Sequence, residues 1–262
     1  MNMETNLRKV PAVEFREVNY LLPRGQPLLS NLNLEVRRGE TLVVLGRSGS
    51  GKTTTLKLVN RLLKPSSGEV RVNGTPTAET DLIRLRRSIG YVIQEVGLFP
   101  HYTVEKNIAL IPRIEGWSTK KISARVEELL QLVGLESTIR SRYPHQLSGG
   151  QRQRVGVARA LAADPSILLM DEPFGALDAL TRDQLQREFL SLQQRLNKSV
   201  LFVTHDLREA LRLGSRIALM EAGRLVTVSS PEGFVRSPDP LAAAYVRAFE
   251  GEFGLTGNRG KA

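Results

Sequence analysis

The chain has 262 residues, and 37 basic against 27 acidic side chains give it a formal charge of +10. That length suits one large domain or two small ones, and a hydrophobic fraction of 41% is enough to build a core, which excludes a disordered chain. The lack of cysteine removes disulfide frameworks, thiolate zinc sites, iron–sulfur clusters and cysteine nucleophiles, and three histidines make a poor basis for an all-histidine metal site.

In chain order, the first forty residues read as antiparallel strand material. Leu32, Leu34 and Val36 alternate with Asn33, Glu35 and Arg37, and turn residues (Pro23, Gly25, Pro27, Gly39) bracket the run. Thr41 to Leu45 is short and continuously apolar, and a helix is expected from Thr54. Val70 and Val72 alternate after Ser66-Ser67-Gly68 and stop at Asn73-Gly74, completing a small sheet on one side of something larger. From about Pro100 to Ala163 there are helix patterns, such as Ile122, Val126, Leu129 and Val133 ending at Gly134, but no buried strand. Ile167 to Met170 and Val200 to Val203 repeat the apolar, non-alternating pattern of strands covered on both faces of a parallel sheet. Polar or glycine residues (Gly46, Asp171, Thr204, His205) follow these runs, where open α/β sheets bind ligands. Leu185, Phe189, Leu192 and Leu196 predict an amphipathic helix over Thr181 to Leu196, and Leu219 to Val228 predicts a hairpin turning at Glu221-Ala222-Gly223-Arg224. The expected fold is α/β: a P-loop NTPase (RecA-like) core with a mostly parallel sheet, an N-terminal antiparallel β subdomain and an inserted helical subdomain. Core and β subdomain occupy about 1–99 and 164–236, the helical insertion about 100–163, and residues 237–262 a C-terminal helix and a tail that frays from Gly251.

Gly46-Arg47-Ser48-Gly49-Ser50-Gly51-Lys52-Thr53, followed by Thr54, fits G-x-x-x-x-G-K-[ST] between a strand and a helix. The glycines let backbone N–H groups wrap phosphates, the helix N-terminus adds favourable dipole charge, Lys52 reaches the outer phosphates and the Thr53 hydroxyl ligates magnesium. Such a site needs a carboxylate for the metal and a group for the attacking water. Asp171 and Glu172, at the end of an apolar strand, supply both. Guanine is disfavoured, because the nearest candidate for its N-K-x-D reader, Asn197-Lys198-Ser199-Val200, lacks the aspartate; ATP with Mg²⁺ is the expected pair. Ser148-Gly149-Gly150-Gln151, in Leu147-Ser148-Gly149-Gly150-Gln151 ahead of a helical run, forms a second nest of N–H groups, so one chain owns two anion-binding surfaces.

With Gln94, Asp178 in Gly175-Ala176-Leu177-Asp178, and His205, these motifs resemble the full set of an ATP-binding cassette (ABC) ATPase over residues 12 to 236. The resemblance implies a head-to-tail homodimer in which each signature, Ser148 to Gln151, closes over ATP held by the partner's P-loop. It further implies that Gln94 senses magnesium and the attacking water and links to the membrane partner. It assigns His205 to the γ phosphate and Asp178 to a connection between the two sites. An aromatic residue near the start would stack on adenine; here the alignment leaves Leu22 or, after a shift, Tyr20.

No apolar run approaches the roughly 18 residues that cross a bilayer, and Met1 to Val10 lacks the apolar stretch of a secretory signal. The chain is therefore expected in the cytoplasm, peripheral on the inner face of the plasma membrane. One cassette without spans or coiled-coil heptads favours an importer ATPase docked on separate permease subunits, with a solute-binding protein as an indirect partner. The stretches Ile89 to His101, Ile111 to Trp117 and Tyr143 to Leu147 look like the glycine betaine, carnitine and choline uptake group. Many of that group carry a regulatory domain after the cassette, for which this chain leaves no room. The alternatives are an importer ATPase for another solute, or an ABC-type ATPase acting on nucleic acid or ribosomes. Only the charge favours the latter. Lys and Arg are spread along the chain, the densest cluster (Arg84, Arg86, Arg87) is short, and no nucleic-acid partner is expected.

Overall fold

The non-alternating apolar runs form the middle of the molecule. In the computed structural model, which describes residues 10–94, 96–175 and 177–252, β3 (Thr41–Gly46), β7 (Ile167–Asp171) and β8 (Ser199–Thr204) are buried along their whole length. They lie in a six-stranded sheet of order β10-β9-β3-β8-β7-β6, with β6 (Ile89–Val92), β9 (Arg216–Glu221) and β10 (Arg224–Ser229). The four pairings from β6 to β9 are parallel, and the outer β9–β10 hairpin is antiparallel. Alternate residues serve opposite faces. Val43, Leu45, Leu168, Met170, Val200 and Phe202 pack on one side, and Leu42, Val44, Ile167, Leu169, Leu201 and Val203 on the other.

The second face is covered by the four-stranded antiparallel sheet of β1 (Val13–Leu21), β2 (Pro27–Val36), β4 (Ser67–Val72) and β5 (Thr75–Pro76), in the order β2-β1-β4-β5. Helix α1 (Lys52–Val59) contributes Leu56, Leu58 and Val59 to the same apolar layer. The first face is covered by helices. Between Val92 and Ile167 the described residues hold no strand, only helices: α3 (Val104–Ile108), α4 (Leu110–Ile114), α5 (Thr119–Leu132), two 3₁₀ turns and α6 (Gly149–Leu161). The short α2, Leu82–Arg87, precedes β6. The chain closes with α7 (Ala179–Leu196), α8 (Leu207–Leu213), α9 (Pro231–Val235) and α10 (Pro240–Glu252).

Three boundaries differ from the sequence reading. Helix α1 starts at Lys52, two residues before Thr54, because Gly51 turns the chain at a φ of 97° and brings Lys52 and Thr53 into the first helical turn. Helix α7 starts at Ala179, where the Asp178 carboxylate accepts from the Thr181 N–H at 3.0 Å and caps it. Strand β6 has no sequence counterpart: it is four residues long and includes Gly90, where a Cβ would come within 2.5 Å of both the Ala160 carbonyl and Leu168. The tail expected from Gly251 lies, past 252, outside the described residues.

Candidate nucleotide site

Strand β3 ends at Gly46, and the eight residues from Gly46 to Thr53 wind from the carboxyl end of that central strand into α1. Gly49 and Gly51 sit at φ of 81° and 97°, a region other residues enter at a cost. Gly46 allows close approach to the next strand, since a Cβ there would lie 2.4 Å from the Met220 carbonyl oxygen. Lys52 is 5% exposed, and its Nζ donates to the carbonyls of Gly46 and Arg47, both at 2.9 Å, so the ammonium folds back across the loop mouth. Burial pushes its pKa down, while the Glu172 and Asp171 carboxylates pull the other way.

The parallel sheet delivers the acidic groups. Asp171 is the last residue of β7, and its Oδ1 accepts from the Thr53 hydroxyl at 2.9 Å; burial pushes its pKa up, and that hydrogen bond opposes the rise. The Tyr91 hydroxyl, on neighbouring β6, faces Asp171 Oδ2 at 3.5 Å, and burial raises its own pKa further from the physiological range. Glu172 follows at a φ of 42°, with its N–H bonded to the Val203 carbonyl at 3.0 Å. A non-glycine residue held there stores on the order of 1–3 kcal/mol, which the surrounding packing must offset. The Phe174 ring, buried two residues on, packs against Phe202 and Phe189 at centroid distances of 5.8 and 6.4 Å and fixes that turn. Two polar side chains meet the Glu172 carboxylate: Gln94 Nε2 donates to Oε2 at 3.3 Å, and His205 Nδ1 lies 3.1 Å from the same oxygen. Lys52 Nζ stands 3.9 Å from Oε1.

Gly46, Arg47, Ser48, Gly49, Gly51, Lys52, Thr53 and Thr54 thus share one open cavity of about 720 Å³ with Gln94, Glu172 and His205. Ser50 and Asp171 lie just behind its wall, both buried. Ser148, Gly149, Gly150, Gln151 and Asp178 do not line it. Ser148 caps α6 instead: its hydroxyl accepts from the Gln151 N–H at 3.2 Å, and its own N–H donates to the Gln151 side chain at 3.0 Å. Gly150 leaves room for α7, since a Cβ would come 2.7 Å from Thr181 Cγ2.

The donor set fits a nucleotide with a hard cation. The cavity lies in the range of small-ligand sites, the loop supplies backbone N–H groups at a helix N-terminus, and the hydroxyl of Thr53 beside the carboxylate of Asp171 offers the two oxygen ligands that magnesium takes in addition to phosphate and water. Sequence reasoning did not find the far wall. Leu241, Ala244, Tyr245 and Ala248, spaced along one face of α10, line the cavity together with Leu28 of β2, whereas neither Tyr20 nor Leu22 does. The Tyr245 ring is half-buried there, near Arg47 and Glu221. The i, i+3, i+4, i+7 pattern at those four positions marks the helix, but nothing in the sequence says what it packs on.

A family profile described as ABC transporter matches residues 29–175. The chain belongs to the ABC transporter family. It is 47% identical, over 94% of its length, to the glycine betaine/carnitine/choline transport ATP-binding protein OpuCA of Bacillus subtilis, and covers 64% of that protein. It is 50% identical, over 89% of its length, to the osmoprotectant import ATP-binding protein OsmV of Salmonella typhimurium, and covers 61% of it. The chain therefore spans less than two thirds of the length of these relatives. Among solved structures, the dimeric, post-hydrolysis ATP-binding cassette MJ0796 bound to ADP and Pi superposes with a TM-score of 0.76 at 34% identity, covering 84% of this chain and 98% of that one. The core and its two covering layers are thus those of an ABC cassette.

Proposed function

We propose that this chain is the ATP-hydrolysing subunit of an importer. In this reading two copies close head to tail over ATP and drive uptake of a quaternary-amine osmoprotectant through separate membrane subunits. The observation that carries it is the convergence of Lys52, Gln94, Glu172 and His205 on one P-loop cavity from which the signature, Ser148 to Gln151, is absent. One chain then holds a phosphate site with its water-activating group and, elsewhere, a second anion nest with nothing to close over. A second copy, turned head to tail, completes both.

The residues divide the work as follows. Lys52 exchanges its two carbonyl bonds for the β and γ phosphates, which costs little because the ammonium already spans the mouth of the loop. Thr53 and Asp171, with Gln94, would hold magnesium, which when bound neutralises charge on the phosphate oxygens. Glu172 accepts a proton from the water that attacks the γ phosphorus as the bond to the β-bridging oxygen breaks. Gln94 and His205, both against Glu172 Oε2, hold the carboxylate and the water in line. Ser148 and Gly150 of the second copy present N–H groups and a helix dipole to the γ phosphate, and Asp178 joins the two sites.

The membrane partner docks beside this machinery. Phe99 is 40% exposed and packs edge-on against His101 and tilted against Tyr102, forming an aromatic cluster on the surface. It borders a groove of about 340 Å³ lined by Arg87, Tyr91, Ile93, Leu110 and Ile111. No helix of the described residues is long and apolar enough to cross a membrane, so the spans must come from other chains or from residues beyond these. The cargo class follows the relatives' names alone; a quaternary ammonium would be recognised by an aromatic cage on a solute-binding protein.

The deciding test is the mass in solution of the Glu172→Gln variant with and without ATP, repeated with DNA or RNA. A dimer that forms with ATP alone and ignores nucleic acid supports this reading. A monomer that assembles only on nucleic acid overturns it and makes the basic surface the functional feature.

A further inference from the structure

The loop that carries Gln94 turns sharply just after it. Val96 and Gly97 have φ of 58° and 53°, and a β-branched residue in the left-handed region is a genuine outlier that needs something to hold it. Helix α6 supplies the hold. Arg159 donates through Nη1 to the Gly97 carbonyl at 2.6 Å and through Nη2 to the Val96 carbonyl at 2.8 Å. This guanidinium is half-buried, and burial lowers its pKa. A half-buried cation whose fork is matched to two carbonyls of a strained turn has a purpose beyond filling space. One turn earlier on the same helix face, Gly156 makes room for the turn: a Cβ there would come 2.8 Å from Val96 Cγ1. A second anchor lies further along. Asn107, fully buried in α3, accepts from the Phe99 N–H at 2.8 Å and donates to the carbonyls of Phe99, Tyr102 and Thr103 at 3.2, 3.1 and 3.0 Å.

Helix α6 begins at the signature residue Ser148 and reaches Arg159 three turns later. The residue that faces the second copy and the residue that clamps the Gln94 loop are therefore on one rigid rod. We propose that Arg159 is a positioning residue for Gln94: by holding the Val96 and Gly97 carbonyls it fixes where the Gln94 amide meets Glu172, and it makes that placement follow the signature helix. The inference rests on the role given to Gln94 above.

The experiment compares the full chain, Arg159→Met, Gln94→Ala and the double variant, reading kcat for ATP hydrolysis, ATP affinity and Tm. Methionine matches the stem length without burying an unpaired charge. Arg159→Met is expected to lower kcat roughly 10- to 100-fold, the scale of a small misplacement of a reacting group, with ATP affinity within about threefold of the parent. In the Gln94→Ala background the same substitution should lower kcat by less than about twofold, because the residue it positions is gone. Arg159→Lys, which keeps the charge but loses the fork, should recover only part of kcat. An equal loss in both backgrounds, or kcat and affinity falling together with Tm, would make Arg159 a plain fold residue and overturn the proposal. If Arg159→Met does not fold, Gly156→Ala replaces it: it pushes on Val96 while leaving the guanidinium, and its loss of kcat must likewise vanish in the Gln94→Ala background. Gln94→Ala with an unchanged kcat would instead overturn the role of Gln94, and this proposal with it.

Discussion

The chain has two glycine-containing anion nests, and they differ in almost every physical respect. The P-loop nest lies at the centre of the parallel sheet, beside buried Lys52 and Asp171, with Glu172, Gln94 and His205 gathered at its mouth. The signature nest is an exposed helix end, capped by its own Ser148 and Gln151, and among the described residues the ionisable side chain bonded to it is Arg152, which donates to the Leu147 carbonyl at 2.6 Å, where the P-loop faces the Glu172 carboxylate. A helix N-terminus alone binds anions weakly; it gains selectivity only when a ligand is already fixed opposite it. On the proposed function, the first nest binds and reacts, and the second recognises a nucleotide held by the other copy.

The largest expected effect breaks the P-loop side. Glu172→Gln should keep ATP binding but lower kcat by roughly 10²- to 10⁴-fold, the usual range for losing a positioned base. Steady-state phosphate release read beside equilibrium ATP binding checks it, and a fully active variant would remove Glu172 from its role. Next comes Lys52→Ala. It removes a charge-assisted contact with phosphate, so ATP affinity should fall by about 1.5–3 kcal/mol, or roughly 10- to 150-fold. Titration calorimetry reads this directly, and an unchanged affinity would count against the P-loop as the nucleotide site.

The two nests were also unequally legible. The P-loop, the Asp171-Glu172 pair and the parallel strands could be read from sequence because each is local: a glycine spacing, or an apolar run with a polar end. The convergence of Gln94 and His205 on a single Glu172 oxygen could be inferred only through resemblance, since 78 and 33 residues separate them from it along the chain. Strand β6 escaped because Gly90 and its four-residue length leave no pattern to read. The wall formed by Tyr245 and Ala248 escaped for another reason. Periodicity gives a helix its apolar face but not the surface that face meets. The same holds for Arg159, which in sequence is one of three arginines on an amphipathic helix.

Smaller effects test the second nest. A bulky residue at Gly149, as in Gly149→Leu, should leave ATP affinity of the monomer within about twofold, because the residue lies outside the P-loop cavity and a Cβ there meets nothing nearer than 3.9 Å. It should abolish ATP-induced dimerisation of the Glu172→Gln background, which analytical ultracentrifugation reads; a dimer that still forms would mean the signature does not face ATP. Phe99→Asp should change basal hydrolysis of the isolated chain by less than about twofold while uncoupling it from transport in membranes containing the permease, since the ring is exposed and outside both nests. Lost basal activity would place Phe99 in the fold instead.

The smallest effect sharpens the contrast in buried charge. Glu209, in α8 behind the end of β8, is 3% exposed and accepts from the Thr204 hydroxyl at 2.6 Å and from Gln186 at 3.1 Å. Burial outweighs those bonds and raises its pKa above the ordinary carboxylate value. The folded chain therefore holds the proton more tightly than the unfolded one. The stability this gives is full below the unfolded pKa and is lost as pH rises through the folded one. A glutamine cannot titrate, so the difference in Tm between Glu209→Gln and the parent should move in favour of glutamine as pH rises from about 4 to 7, by about 1–3 °C for a chain of this size. The exposed Asp178 of the signature side runs the other way: its pKa is lowered by the Thr181 backbone bond, so Asp178→Asn should lose ground to the parent over the same climb. Opposite slopes at the two positions would mark Glu209 as the desolvated group and Asp178 as the one stabilised in its charged form. Parallel slopes would mean that the burial of Glu209 does not govern its proton.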